Sequence, residues 1–268
     1  MRSAQLLDHG KIIMIKAPKL SFLSSDTDDA RKAMELLTRA YGQVEPDKSD
    51  IIVTLGGDGF MLETLHSTQH LNRPVYGMNC GTVGFLMNEF SIDNLNTRLE
   101  MSKEELINPL RMTAVTETGK NYDSLAINEV SLLRGGPQAA KLKVSVDGRV
   151  RIKELVCDGA LVSTPAGSTA YNYSAHGPIL PIGSDVLALT AISAFRPRRW
   201  RGALLPKVAK VRLDVLETDK RPVMAFADSR AAGLVTFVEI ETDPNVTHRI
   251  LFDPGHGLEE RLISEQFV

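Results

Sequence analysis

The stretch TLGGDGFMLETLH, residues 54–66, sets one acid, Asp58, among Gly56, Gly57 and Gly59. A carboxylate so placed can cap the helix that follows the turn. The glycines leave successive backbone N–H groups unshielded beside a helix N-terminus, which suits a phosphate. The Lys-Ser/Thr of a P-loop is missing, and so is the GxGxxG spacing of a dinucleotide fingerprint. The turn therefore points to an anion site of another kind.

Three further stretches carry polar groups in unusual density. A second glycine turn, NCGTVGF at 79–85, brings Phe85, which can pack under a base or sugar, or in a core. Asn128 and Glu129 stand side by side in the apolar run AINEVSL. On a regular strand they would point to opposite faces. For both to act, the strand must end or bulge there. Their natural work would then be hydrogen bonding to sugar hydroxyls, because Glu accepts and Asn does both. The stretch CDGALVSTPAGSTAYNYSAHGP, 157–178, gathers Asp158, Ser163, Thr164, Ser168, Thr169, Tyr171, Asn172, Ser174 and His176 between glycines and prolines. Its small residues let a flat ring approach the backbone. His176 has no second His or Cys beside it, so its spacing does not indicate a metal. FRPRRWRG, 195–202, joins four arginines to the only Trp and reads as a phosphate or subunit contact, or as a plain exposed basic loop.

These residues need elements to position them. KIIMIKAP (11–18), DIIVTL (50–55) and RPVYGMN (73–79) are short apolar runs of buried-strand type. Between the first two, Ala30, Ala33, Met34, Leu37 and Tyr41 fall at helical spacing, with Asp26 or Thr27 as cap and Gly42 as stop. FMLETLHSTQH predicts the next helix. Alternating strands and helices predict a parallel sheet with crossover helices, whose ligands bind at the carboxyl ends of the strands. After residue 108 the runs become short and β-branched, and Asp147–Gly148 is a hairpin signal. The expected organisation is an α/β nucleotide-binding domain at 1–108, a β-sandwich at 109–250, and a partly helical tail at 251–268 that packs back on the first domain.

Composition bounds the partners. The chain has 268 residues, 43% of them hydrophobic, and a net charge of −2. That charge leaves no footprint for bulk nucleic acid or anionic membrane. No apolar run approaches the ~20 residues of a membrane helix, and the first residues lack a signal-peptide pattern. Cys80 and Cys157 are the only cysteines and form no CxxC, so a disulfide framework or zinc site is not indicated. A soluble, cytoplasmic protein is expected.

Taken in order, GGDG (56–59), NCGTVGF (79–85), NE (128–129) and DGALVSTPAGSTAYN (158–172) make the sequence resemble the bacterial NAD kinases, and its tail FDPGHGLEERLISEQF resembles alphaproteobacterial members. The resemblance implies a Rossmann-like α/β domain followed by an all-β sandwich. It implies transfer of the ATP γ-phosphate to the 2′-hydroxyl of the adenosine ribose of NAD. Asp58 would be the base and Gly59 would sit at the ribose. Gly56, Gly57 and Gly59 would hold the ATP phosphates with a divalent cation, expected to be Mg²⁺. Asn128 and Glu129 would bind sugar hydroxyls, with Phe85 among the substrate contacts. Thr169, Ala170, Tyr171 and Ser174 would surround the adenine. Asp158 would reach a neighbouring subunit's dinucleotide, so a homo-oligomer, dimer or tetramer, with shared sites is implied. Ala166 stands where many relatives have Ser, and Val156 where some have Arg. ADSR (227–230) aligns only loosely, and Asp228 receives no catalytic role. A lipid or sugar kinase of the same superfamily, or a non-catalytic dinucleotide sensor, are the rival readings.

Overall fold

The computed structural model describes residues 17–81, 84–198 and 200–255. They form two units: one running to Glu105 and resuming at His248, the other spanning Leu106–Thr247.

The first unit opens with β1 (Leu20–Ser24), α1 (Asp28–Tyr41), β2 (Ile51–Gly56), α2 (Asp58–Ser67) and β3 (Val75–Asn79), followed by α3 (Leu95–Met101) and β4 (Lys103–Ile107). In α1, the Thr27 hydroxyl accepts the Ala30 N–H and Gly42 ends the helix at φ 82°, a left-handed conformation natural to glycine. Its buried face is Ala30, Ala33 and Leu37, packed on Phe22, Val53, Leu55 and Met78 of the strands. Burying a leucine so completely stabilises by roughly 1.5–3 kcal/mol. β1, β2 and β3 are parallel, and the register sets Gly56 beside Asn79. Both glycine turns therefore leave the same edge of the sheet, from neighbouring strands.

The second unit is antiparallel. It contains β5 (Leu110–Thr116), β6 (Asn121–Ala126), β7 (Glu129–Arg134), β8 (Ala140–Val146), β9 (Arg149–Cys157) and β10 (Gly159–Ser163). After a 3₁₀ turn at Ala166–Thr169 and a single helical turn, α4 (Tyr171–Ser174), come β11 (Val186–Ile192), β12 (Gly202–Pro206), β13 (Val211–Val215), β14 (Val223–Ala227) and β15 (Arg230–Thr242). The strand order is β12-β11-β10-β7-β14-β15-β13-β8-β9, with β5 on β15 and β6 on β5. β15 is long enough to serve two neighbourhoods. Its first residues pair with β14 and its later ones with β5 and β13, across a register shift between Val235 and Phe237. The sheet thus curls over a single core that includes Val130, Leu132, Val144, Leu155, Val162 and Val238. Asp147 and Gly148 both have positive φ at the β8–β9 turn, the backbone that a two-residue hairpin needs.

The last strand, β16 (His248–Phe252), pairs parallel with β3, Ile250 opposite Val75 and Leu251 opposite Tyr76, and closes the first sheet in the order β1-β2-β3-β16-β4. A boundary at 250 therefore cuts through a strand whose hydrogen bonds hold it to the first unit. The first strand expected at 11–18 lies outside the described residues apart from Ala17 and Pro18. Leu20–Ser24 supplies β1, and the tail beyond Gly255 is also outside them. Among the described residues no helix is long and apolar enough to cross a membrane.

Candidate active site

In the first unit, β2 ends at Gly56 and Asp58 is the first residue of α2, after Gly57 as N-cap. A carboxylate here meets the positive end of the helix dipole. It does not cap its own helix. Its oxygens turn to the second glycine turn, where Oδ2 accepts the Phe85 N–H at 2.7 Å and Oδ1 the Leu86 N–H at 2.9 Å. A Cβ on Gly84 would stand 2.4 Å from Oδ1, so this contact requires glycine there. The far end of the turn is held by buried Asn88, whose amide donates to the Gly77 and Leu251 carbonyls at 3.0 Å and accepts from the Asp253 N–H at 2.8 Å.

The glycines of the first turn differ among themselves. Gly56 is buried, with Ser25 and Phe60 atoms 3.1–3.2 Å from where a Cβ would be; it is a packing glycine. Among the described residues no atom lies within 4 Å of a Cβ added at Gly57 or Gly59, and neither has a positive φ. Neither packing among the described residues nor backbone conformation explains them, and they sit beside the first N–H groups of α2. Those groups have no intrahelical acceptors and suit an anion.

In the second unit, the AINEVSL run breaks between β6 and β7, and residues 127–128 form a bend. Asn128 is half-buried there, and Glu129 begins the next strand. This is the interruption that the pair needs in order to act together. Glu129 is buried, and its Oε2 has no hydrogen-bond partner among the described residues. Burial, then the negative charge of Asp228, push the Glu129 carboxyl up to about 8, opposed by a hydrogen bond from the Tyr171 backbone N–H. The Tyr171 phenol is also pushed up, first by burial, then by Glu129 and by Asp158. Glu129, Tyr171 and Asp158 thus share one electrostatic neighbourhood. The Asp158 carboxylate is half-exposed and accepts from Arg134 Nε of its own chain at 2.6 Å.

The hydroxyl-rich loop is held largely by its own side chains. Thr164 Oγ1 donates to the Ile127 carbonyl at 2.7 Å and accepts the Gly167 N–H at 3.0 Å. Ser168 Oγ donates to the Pro165 carbonyl and accepts the Leu180 N–H. Buried Asn172 donates to the Ser168 and Pro178 carbonyls and accepts from Thr190. A Cβ on Gly167 would stand 2.2 Å from the Asn128 carbonyl oxygen, so the loop packs directly on the Asn128 backbone. Ser163, Thr164 and Ser168 are therefore scaffold, not free hydroxyl donors. Thr169 is buried, Ala170 and Tyr171 are half-buried and Ser174 is exposed. Arg196 and Arg198 are exposed, as a plain basic loop would be, while Trp200 packs on the core. Sequence reasoning missed Asp228, which bonds the backbone of residues 127–129.

Residues 3–105 match the model of the ATP-NAD kinase N-terminal domain and residues 127–239 that of the ATP-NAD kinase C-terminal domain. An NAD kinase of Cereibacter sphaeroides is 66% identical over 250 residues, covering 93% of this chain and 98% of the relative. One of Caulobacter vibrioides is 55% identical over 249 residues, covering 93% and 96%. The fold is similar to that of yeast NADH kinase solved with NADH, at TM-score 0.79 and 19% identity, covering 99% of this chain and 93% of that one. It is also similar to an NAD kinase from Archaeoglobus fulgidus solved with ATP, at TM-score 0.73 and 23% identity, covering 92% and 98%.

Proposed function

The chain belongs to the ATP-NAD kinase family, and from that premise we infer that it is an NAD kinase, a phosphotransferase moving the ATP γ-phosphoryl group to the 2′-hydroxyl of the adenosine ribose of NAD. The 2′-oxygen forms a bond to the γ-phosphorus, the bond to the β-phosphate oxygen breaks, and the products are NADP and ADP. The observation that carries the reading is the placement of Asp58: a carboxylate pinned by two backbone N–H groups at a glycine-walled helix start.

Asp58 is the base in this reading. A carboxylate offers about four lone-pair sites. The two N–H bonds use two and set its orientation, which leaves acceptor capacity for the ribose proton. Phosphoryl transfer asks mostly for positioning and charge neutralisation. Gly57 and Gly59 supply open backbone N–H groups for the ATP phosphates, and Gly56 allows the turn to pack. Phe85 contributes its backbone to Asp58 and its ring to the substrate wall. Asn128 and Glu129 bind sugar hydroxyls, and the orphan Oε2 of Glu129 is an acceptor ready for one. Thr169, Ala170, Tyr171 and Ser174 line the adenine.

ATP enters as its Mg²⁺ complex. Mg²⁺ needs few protein ligands when phosphates and water supply the rest. The described residues hold no cluster of three or more His, Cys, Asp or Glu side chains suited to a metal. The working form is a homo-oligomer in which Asp158 reaches a neighbour's dinucleotide. A reducing cytoplasm suits the two free cysteines.

Incubating the protein with ATP, Mg²⁺ and NAD should yield NADP and ADP in equal amounts. Binding of NAD without NADP formation would identify a sensor, and phosphorylation of a lipid or hexose in place of NAD would identify a different kinase.

A further inference from the structure

Asp228 lies in the two-residue turn between β14 and β15, where Ala227 pairs with Arg230. Its φ is 51°, a left-handed conformation that aspartate tolerates better than most residues. Its carboxylate gathers three consecutive backbone N–H groups from 99–101 residues earlier in the chain. Oδ2 accepts from Ile127 at 2.8 Å; Oδ1 accepts from Asn128 at 2.9 Å and from Glu129 at 3.3 Å. The Asp228 N–H returns a bond to the Glu129 carbonyl at 3.0 Å. Successive N–H groups converge on one anion only where the backbone bends into a nest, and a regular strand would send them alternately to its two sides. The anion and the bend therefore specify each other.

We propose that Asp228 is a positioning residue for dinucleotide binding: its carboxylate shapes the bend at residues 127–129 and so sets where Asn128 and Glu129 present their side chains to a sugar hydroxyl. The identity of the ligand rests on the NAD kinase reading. The opposite wall of the bend is also built, since Thr164 bonds the Ile127 carbonyl and Gly167 packs on the Asn128 carbonyl. Asp228 thus holds the N–H side of a peptide segment whose C=O side is held by the loop.

Asp228 also acts on Glu129 through charge. The groups acting on Glu129 are Asp228 from the β14–β15 turn and the Tyr171 N–H from the start of α4, with burial the largest influence. Arg230, the first residue of β15, donates from Nη2 to the Leu125 carbonyl. A sugar hydroxyl donating to Oε2 favours the ionised carboxylate. NAD binding should therefore strengthen as pH rises toward the Glu129 ionisation near 8, and should release a proton below it.

The test is calorimetric titration of NAD, and separately of ATP, into the full-length wild type, Asp228→Asn, Asp228→Glu and Glu129→Gln at pH 6 to 9. Asp228→Asn keeps the size and one acceptor but not the charge. Its inflection should move to lower pH, and at pH 9 it should bind NAD about tenfold more weakly with ATP affinity unchanged. Asp228→Glu keeps the charge but misplaces it, so the inflection should stay while affinity at pH 9 falls; this variant also decides the matter if Asp228→Asn does not fold. Glu129→Gln should show no inflection. Variants at 228 that match wild type at every pH, or that lose NAD and ATP together, would overturn the proposal. A wild type that binds ATP but not NAD would instead overturn the kinase reading on which it rests.

Discussion

Asp58 and Phe85 are joined by a hydrogen bond of 2.7 Å from the backbone N–H of one to the carboxylate of the other. The bond spans two glycine turns that leave adjacent strands, β2 and β3, at the same sheet edge. Leu86 doubles it from the next residue. Two donors on one carboxylate fix its plane as well as its position. A general base gains most from such fixing, because proton transfer depends on alignment within hydrogen-bond reach.

Asp58→Asn should keep NAD binding and lose most turnover. A positioned general base is typically worth about 10²–10⁴-fold in rate. Asn also brings an NH₂ group against one of the two backbone donors, and leaving such a donor unsatisfied costs roughly 1–3 kcal/mol. A modest fall in Tm should accompany a large fall in kcat, with the Kd for NAD within a few-fold of wild type. Turnover within a few-fold of wild type would make Asp58 an organiser of the turn and not the base.

Two glycine substitutions separate architecture from ligand space. At Gly84 an added Cβ would meet Asp58 Oδ1 at 2.4 Å, whereas at Gly59 it meets nothing within 4 Å among the described residues. Gly84→Ala should therefore push the turn off the carboxylate and lower both Tm and kcat. Gly59 is the second residue of α2, where alanine in place of glycine stabilises by restricting the unfolded chain, by at most roughly 0.5–1 kcal/mol. Gly59→Ala should raise Tm, and, if the turn holds phosphate as proposed, it should also raise the KM for ATP, because the methyl group would enter that space. Unchanged ATP kinetics in Gly59→Ala would remove the phosphate role from that turn.

The sequence makes α1, β2, β3 and the β8–β9 hairpin legible because each carries a local signal: a cap at Thr27, a stop at Gly42, apolar runs, and Asp147–Gly148 at the turn. β4 and β6 carry none. Their residues, KEELI and NYDSLA, are mostly exposed or half-exposed at the margins of their sheets, so no hydrophobic pattern marks them. The Asn128–Glu129 pair is visible as an oddity in a strand, but the cause of the bend is not. Asp228 reads locally as one more turn aspartate, and its work becomes apparent only through partners 99–101 residues away. The loop at 163–168 misleads in the opposite direction: hydroxyls that resemble ligand donors are used up on carbonyls of the backbone.

Glu129 makes stability depend on pH. Its carboxyl is raised from 4.5 to about 8 in the folded protein, chiefly by burial. A raised acid favours folding fully below its unfolded pKa, and that advantage is lost as pH rises through the folded value. Between about pH 4.5 and 8 the unfolded chain ionises Glu129 while the folded one resists, at about 1.4 kcal/mol per unit. Glu129→Gln should remove this slope. Denaturant unfolding should show the variant gaining on wild type from pH 5 to pH 8, by on the order of a few kcal/mol. Parallel pH curves for the two proteins would mean that Glu129 is readily ionised in the fold.

Asp158 tests whether the sites are shared. Within its own chain it is held at 2.6 Å by Arg134 and remains half-exposed, so the carboxylate is oriented but not consumed. If it serves a neighbour's dinucleotide, Asp58→Asn and Asp158→Asn homo-oligomers should each be nearly inactive, for different reasons. In a mixed dimer, one site would collect both lesions and the other would be wholly wild type. Activity should then reappear when the two variants are co-expressed, or unfolded together and refolded. An obligate interface, above roughly 2,000 Å² in total, should prevent its return on simple mixing. Arg134→Ala should lower activity in its homo-oligomer and should be complemented by Asp58→Asn in the same way, since it acts through Asp158. If verified mixed oligomers of two dead variants stay dead, each site is built within one chain, and the Arg134–Asp158 pair is a surface ion pair with no part in the neighbour's chemistry.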